Sequence, residues 1–408
     1  MYNYRIKLID GDQFAVFDSS KLPVGSVLPF DVYCQEKDGM KVLFARGTIF
    51  SPLEKNIVVR NEFTNLYAKL FEAWQINQLL FGKKRKVSSF LDDQIEFQKY
   101  STQKASYFHI DSTLLKPGSE IDFDLFVINR SSFSQIVEAT EGDPFEIKTG
   151  LSDIQGDIAV KKSDISRYLH YLTSLEGNAA GTAGSIARES ARAIMKNVLE
   201  DPYDVLKIEE ACRASNKLTQ YLSENKDSIY NLLLLKNNDF YHYTHSVNTA
   251  LLSIRLGIEA GMDKETLGKL GIGAMLHDIG KSLIPNHILN KQGKLDHTEY
   301  VVFQSHVVEG VKILRRDEKI IPQESFVAVL QHHEKLNGRG YPNKLKNKDI
   351  KLFGRITAIA DCYDAMISRR PFRPAQSSFK ALSAIAKETK SYDPALLRLF
   401  IQMLAKIK

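Results

Sequence analysis

Cysteine is scarce in this chain: Cys34, Cys212 and Cys362 are odd in number and far apart. That excludes a disulfide framework and a Cys-rich zinc site, and three buried thiols are the plain reading. Long apolar runs are also missing; none approaches the roughly 20 residues that cross a bilayer, so no membrane span is expected. Charge of one sign is not in excess, since 55 Lys and Arg face 49 Asp and Glu, a net +6 over 408 residues. The densest basic block, Lys83-Lys84-Arg85-Lys86, reads as a solvated loop, and DNA is not an expected partner. The first residues, Met1-Tyr2-Asn3-Tyr4-Arg5, lack the basic-then-apolar order of a secretory signal, which makes the cytoplasm the expected compartment. With 43% hydrophobic residues there is ample material for a core, and the length predicts two units with a connector.

The first part of the chain reads as strands separated by turns. Phe14 to Phe17, Phe30 to Cys34, Val42 to Phe44 and Asn56 to Val59 are rich in β-branched and aromatic residues, with Gly, Pro and Asp between them. A pattern recurs: Asp18-Ser19, Leu22, Gly25-Ser26 and Phe30-Asp31 reappear as Asp111-Ser112, Leu115, Gly118-Ser119 and Phe123-Asp124 at the same internal spacing. Ile57-Val58-Val59-Arg60 precedes an expected helix through Leu66 and Leu70, and Ile158-Ala159-Val160-Lys161 precedes one through Tyr168 and Leu172. Residues 1–175 are therefore expected to hold two related β-rich modules, about 1–80 and 95–175, each closed by a helix.

The small, glycine-rich stretch Gly177 to Gly184 is expected to be a hinge, because the Lys-Ser/Thr pair of a phosphate-gripping loop does not follow it. Residues 176–200 would form a flexible or helical linker. From Ser185 onward the periodicity is helical: Val247, Ala250, Leu251 and Ile254 share a face, as do Leu267, Leu270 and Ala274, and Ile356, Ile359, Ala360 and Tyr363. The fold class is thus α+β in two parts, with an all-α bundle over 201–408.

Eight of the ten histidines lie between His242 and His333. Imidazoles and carboxylates on the inner face of a bundle are costly unless paired, hydrogen-bonded or bound to metal. Metal coordination accounts for His245, His277-Asp278, His306 and His332-His333 together, and nitrogen with oxygen donors suits Fe, Mn, Zn or Ni. His109, His170, His287 and His297 read as core histidines, and His242 as an exposed helix position. After His277-Asp278 comes Ile279-Gly280-Lys281, in which glycine lets backbone approach the metals and lysine offers charge to a phosphate oxygen.

The ordered set Tyr243-Thr244-His245-Ser246-Val247-Asn248, Leu276-His277-Asp278-Ile279-Gly280-Lys281, Ile284-Pro285, Ile288 to Leu295, His306, His332 to Pro342, Arg355 to Ala365 and Arg370-Pro371-Phe372-Arg373 resembles the HD-GYP subgroup of the HD metallohydrolase superfamily. The resemblance covers the chain from about residue 200 onward. It implies His245, His277, Asp278, His306, His332, His333 and Asp361 as metal ligands, with Asp278 as the bridge and as a catalytic residue beside Lys281. Lys281, Arg339, Tyr341, Arg370 and Arg373 would bind substrate, and Asn248 and Asp364 would orient ligands. Three positions depart from the family pattern. Tyr241 stands where some members carry a glutamate for a third metal, which favours two ions; Val307 replaces a proline and Arg369 an acidic residue.

The activity so implied is a phosphodiesterase that opens cyclic di-GMP to pGpG, and on to GMP if cleaved again, with a hydroxide activated by two Fe or Mn ions. Two alternatives stand beside it: a nucleotide-binding signalling scaffold with little turnover, and a phosphodiesterase for cyclic GMP-AMP. Residues 1–175 would serve regulation or a protein partner. The apolar spacing after Gly184 is compatible with pairing in a homodimer and equally with packing inside one chain.

Overall fold

In the computed structural model the described residues are all but 1–3, 10–11, 29, 37–38, 46–47, 62, 70–105, 129–132, 141, 149–150, 152–153, 155, 177–181, 226–227, 235–240, 292, 317–318, 369–374, 389 and 406–408. They form two compact units, Met1–Asp93 with Leu283–Phe303, and Gln94–Ser282 with Gln304–Lys408.

Alternation of apolar and polar residues builds the sheet of the first unit. Its strands are β1 (Tyr4–Ile9), β2 (Asp12–Asp18), β3 (Val32–Glu36), β4 (Gly39–Phe44) and β5 (Asn65–Lys69), in the order β1-β2-β5-β3-β4. All pairs are antiparallel, and Phe17 sits opposite Leu66. Two sequence expectations change here. Asn56 to Val59 is not a strand but lies in helix α1 (Pro52–Arg60), because Ser51 and Glu54 form a capping box and Pro52 opens the first turn. Those start signals outweigh the β-branched run Ile57-Val58-Val59 that suggested a strand. Leu66 belongs to β5 rather than to a helix, its partner in β2 deciding the matter; Leu70 lies outside the described residues.

Phe17, Leu28, Phe30, Val32, Phe50 and Leu66 form the core of this unit, and Ile284, Ile288 and Val302 join it from far along the chain. They flank or lie in the short helix Asn286–Leu289 and the helix His297–Gln304. Residues 283–303 therefore pack with the first sheet, whereas 201–408 was expected to form one continuous helical domain. Burial of three aliphatic side chains supplies the physical reason.

The second unit carries strands β6 (Tyr107–His109), β7 (Glu120–Ile121), β8 (Leu125–Ile128), β9 (Phe133–Val137), β10 (Phe145–Glu146) and β11 (Asp157–Lys161). Four of them form a sheet in the order β6-β11-β8-β9, while β7 pairs with β10. The repeated sequence produces the same local structure twice. Asp18 caps a 3-10 turn by accepting from Ser20 N at 2.9 Å, and Asp111 caps another by accepting from Thr113 N at 3.0 Å. Gly25 and Gly118 follow with φ of 92° and 81°, where glycine is unstrained. Each donates its N–H to a distant carbonyl, Phe50 O at 2.8 Å and Ile147 O at 2.7 Å.

Helix α2 (Ile165–Leu175) follows β11, as expected. The segment expected to be a linker is, over Ala183–Glu200 (α3), a helix that buries Ile186, Arg188, Glu189, Arg192 and Met195. It packs on α4 (Val205–Glu224) and α5 (Tyr241–Glu259). Around α5 lie α6 (Lys264–Leu276) and α7 (Leu352–Ile367), and α8 (Ser325–Gln331) packs against both of these. The three predicted apolar faces are buried. His109 is buried in β6, but His170, His287 and His297 are exposed and are not core residues; the side chain of His242 lies outside the described set. Among the described residues no helix is long and apolar enough to cross a membrane. Cys34 and Cys212 are buried, Cys362 is half-buried, and none of the three is in a disulfide.

If Leu283–Phe303 belongs energetically to the first sheet, Phe30→Ala and Ile288→Ala should lower the same unfolding transition, each by about 2–5 kcal/mol. Urea melts followed by residue-resolved hydrogen exchange check this, and protection lost in separate regions would contradict it.

Candidate metal centre

The seven histidines and aspartates singled out in the sequence come from five places in the second unit. His245 is on α5, His277 caps the C-terminus of α6 with Asp278 next to it, and His306 opens the helix His306–Arg315 (α9). His332 caps the C-terminus of α8, His333 follows it, and Asp361 is on α7. All seven converge. Donor atoms of Asp278, His306, His332 and His333 lie within 4.8 Å of one another, as do those of His245, His277 and Asp361.

Asp278 stands between the two groups. Its Oδ1 is 3.4 Å from His306 Nε2 and 3.6 Å from His332 Nε2, while its Oδ2 is 3.2 Å from His277 Nε2 and 3.7 Å from His245 Nε2. Asp361 Oδ1 lies 3.0 Å from His245 Nε2, and its Oδ2 lies 3.8 Å from His333 Nδ1.

The hydrogen bonds behind the rings determine which nitrogen faces inward. His277 Nδ1 is 2.7 Å from Ala274 O, and His332 Nδ1 is 2.9 Å from Val329 O. A carbonyl only accepts, so Nδ1 carries the proton in both rings and Nε2 presents a lone pair to the cluster. His245 Nδ1 donates in the same way to Asp364 Oδ2 at 2.6 Å, and Asn248 Nδ2 donates to Asp364 Oδ1 at 2.9 Å. Asn248 and Asp364 thus stand behind His245.

This donor set fits divalent cations. Among the described residues, His277 Nε2, Asp278 Oδ1 and His333 Nε2 are buried with no hydrogen-bond partner. Such orphaned groups are costly unless a cation takes their lone pairs. Burial alone would raise the Asp278 carboxyl, but His277 and Lys281 hold it well below the usual range, so it is ionised. Burial lowers His277, and lowers His306 to about 4, which keeps both rings neutral and able to ligate. Burial also opposes charge on His245, yet Asp361 and Asp364 push it up to about 9.

Lys281, nearly buried, donates from Nζ to Asp278 Oδ2. Tyr341 places its ring 4.6 Å, centroid to centroid, from His333. Arg339 is exposed, and Arg370 and Arg373 lie outside the described residues, as does Arg369. A residue in the quoted motifs to which the sequence assigned no role proves structural. Buried Glu334 accepts from Asn343 N at 2.7 Å and Leu345 N at 2.9 Å, and so clamps the loop that carries Tyr341. A lone acidic side chain between two histidines and a glycine-rich turn was the available signal. Gly280 has a role the sequence did not show: a Cβ there would lie 1.9 Å from His306 O, so its bareness admits the backbone of α9.

Fold and site together define a helical domain with a buried histidine–aspartate centre of metal-binding type. Residues 227–396 match the model of the HD domain family. A cyclic di-GMP phosphodiesterase of Thermotoga maritima is 33% identical over 192 residues, 45% of this chain and 52% of the relative. The cyclic di-GMP phosphodiesterase PA4108 of Pseudomonas aeruginosa is 31% identical over 187 residues, 46% of this chain and 45% of that one. A 3'3'-cGAMP-specific phosphodiesterase 2 of Vibrio cholerae is 33% identical over 189 residues, covering 46% and 36%. The match spans about half the length of these curated relatives or less. Bd1817, a HDG"Y"P protein from Bdellovibrio bacteriovorus, superposes with a TM-score of 0.57 over 73% of this chain and 99% of that one, at 18% identity, a likeness of fold alone.

Two outcomes follow for metal binding. Gly280→Ala should displace His306 and weaken Mn(II) uptake by about 10-fold or more, read by titration of free Mn(II); unchanged uptake would contradict the close approach. With its pKa raised to about 9, His245 keeps a proton on Nε2 at neutral pH, and a cation that takes this nitrogen must displace it. Affinity should therefore rise with pH and level off above about 9, with proton release seen by calorimetry in buffers of different ionisation enthalpy; an affinity flat from pH 7 to 9 would oppose this assignment.

Proposed function

We propose that this chain is a metal-dependent phosphodiesterase that hydrolyses cyclic di-GMP to pGpG, with GMP as the product of any second cleavage. The observation that carries the reading is the convergence of seven donor side chains, all buried but the half-buried His333, with the Asp278 carboxylate between the two groups, within a domain whose relatives are named for this substrate. Asp278, His306, His332 and His333 would hold one divalent ion and His245, His277 and Asp361 a second, Asp278 reaching both. Nitrogen and oxygen donors without thiolate favour Fe or Mn. When bound, such ions supply Lewis acidity toward a phosphoryl oxygen and lower the pKa of water.

The chain's own residues supply the rest. The Lys281 ammonium, held at Asp278 Oδ2, is placed to offset charge that grows on a phosphate oxygen, in a pocket where burial strengthens the interaction. Tyr341 beside His333 would shape the wall of the substrate site, and Arg339, Arg370 and Arg373 would contact phosphate or guanine. A cyclic GMP-AMP substrate is the second reading, favoured by the Vibrio cholerae relative named for that specificity. The two sheets are proposed to be copies of one regulatory or partner-binding module in a cytoplasmic protein. Their common strand order, β2-β5-β3-β4 and β6-β11-β8-β9, and the shared Asp-capped turn support this.

Full-length protein, purified anaerobically and loaded with Fe(II) or Mn(II), should open cyclic di-GMP faster than cyclic GMP-AMP, read by chromatography of products. Asp278→Asn should lower kcat by about 10³-fold and Lys281→Ala by about 10²-fold. A metallated wild type that binds cyclic di-GMP yet forms no product would favour a binding scaffold instead, and wild-type turnover in Asp278→Asn would sink the proposal.

A further inference from the structure

Helix α3 buries four charged side chains, Arg188, Glu189, Arg192 and Lys196, in a stretch expected to be a linker. Two of them satisfy each other. Arg192 Nη1 donates to Glu189 Oε2, Arg192 Nε donates to Thr244 Oγ1 at 3.1 Å, and Arg192 Nη2 donates to His109 O at 3.3 Å. Glu189 Oε1 accepts from Asp111 N at 3.1 Å and from Tyr168 Oη at 3.2 Å. The pair thereby fixes α3 between the second sheet and α5.

Arg188 is different. Its side chain is fully buried, at 0% exposure, and among the described residues no carboxylate forms a hydrogen bond with it and Nε and Nη1 have no partner. Among the described residues its one hydrogen bond runs from Nη2 to Asn248 Oδ1, at 3.3 Å. Asn248 then turns its amide nitrogen to Asp364 Oδ1 at 2.9 Å, and Asp364 Oδ2 accepts from His245 Nδ1 at 2.6 Å. Each link dictates the polarity of the next. A guanidinium only donates, so it must meet the amide oxygen of Asn248. The amide NH₂ is then left for the carboxylate, and a flipped amide would set donor against donor and acceptor against acceptor. The same polarity holds the proton of His245 on Nδ1 and leaves Nε2 for the cluster. A buried guanidinium is costly unless compensated, and the carboxylates of Glu189, Asp111 and Asp364 offset its charge here.

We propose that Arg188 is a positioning residue of the metal centre, acting through Asn248 and Asp364 to hold His245 with Nε2 aimed at Asp361 and Asp278. The proposal rests on the metal-dependent reading above, and the test separates the two. Full-length, metal-free protein is titrated with Mn(II), free ion being read by electron paramagnetic resonance and folding by circular dichroism. Wild type should bind two ions. Folded Arg188→Ala should bind the ion of the His245, His277 and Asp361 group about 10-fold or more weakly, with the other unchanged, and Arg188→Lys should recover part of the loss because an ammonium still donates to Asn248 Oδ1. Asn248→Leu breaks the same chain at its next link and should reproduce the loss, which keeps the test decisive if Arg188→Ala does not fold. A purely structural role would lower the melting temperature of these variants and leave both affinities of the folded protein intact, and that result overturns the proposal. A folded wild type that binds no Mn(II) overturns the metal-dependent reading and this inference with it.

Discussion

A single carboxylate, that of Asp278, faces imidazoles on both sides. His306 and His332 approach one oxygen, and His277, His245 and the Lys281 ammonium approach the other. Removing so many polar groups from water within a helical bundle is unfavourable unless their lone pairs and charges meet partners at short range. Much of the surrounding architecture follows from keeping those distances short. Gly280 lets the backbone after Asp278 touch the start of α9. Gly340 does the same for the Tyr341 loop, where a Cβ would lie 2.4 Å from Lys335 N.

The histidines are oriented by two different devices. His277 and His332 sit at helix C-termini, where carbonyls lack intrahelical partners, and each ring turns back to bond a carbonyl of its own last turn. One local interaction satisfies the helix end and selects the tautomer. His245 lies inside α5, whose carbonyls are already engaged, and its orientation comes instead from Asp364 on another helix. Arg188 and Asn248 extend that dependence to α3. The placement of one imidazole thus rests on side chains contributed by three helices.

The β-rich part shows the same contrast between local and distant causes. The Asp-capped 3-10 turn and the glycine at positive φ recur because short-range hydrogen bonds and backbone freedom create them wherever that spacing occurs. The β-branched run in Asn56 to Val59 misleads, since a capping box at Ser51 and Glu54 commits the chain to helix before β-branching matters. Core formation is less local still. Ile284, Ile288 and Val302 complete the first unit from more than two hundred residues downstream of its sheet.

The helical periodicity of the second unit, the identity of its seven clustered donors and the duplicated turn were decided by sequence, because each depends on residue type at fixed short spacing. Their convergence around Asp278, the role of Glu334 as a loop clamp and the burial of Arg188 behind Asn248 were decided by tertiary structure alone. Burial and hydrogen-bond partners are relations between segments distant in the chain, and a buried arginine looks no different in sequence from a solvated one. The same reason explains why residues 283–303 could be read as continuous with their neighbours, although their apolar faces complete another core.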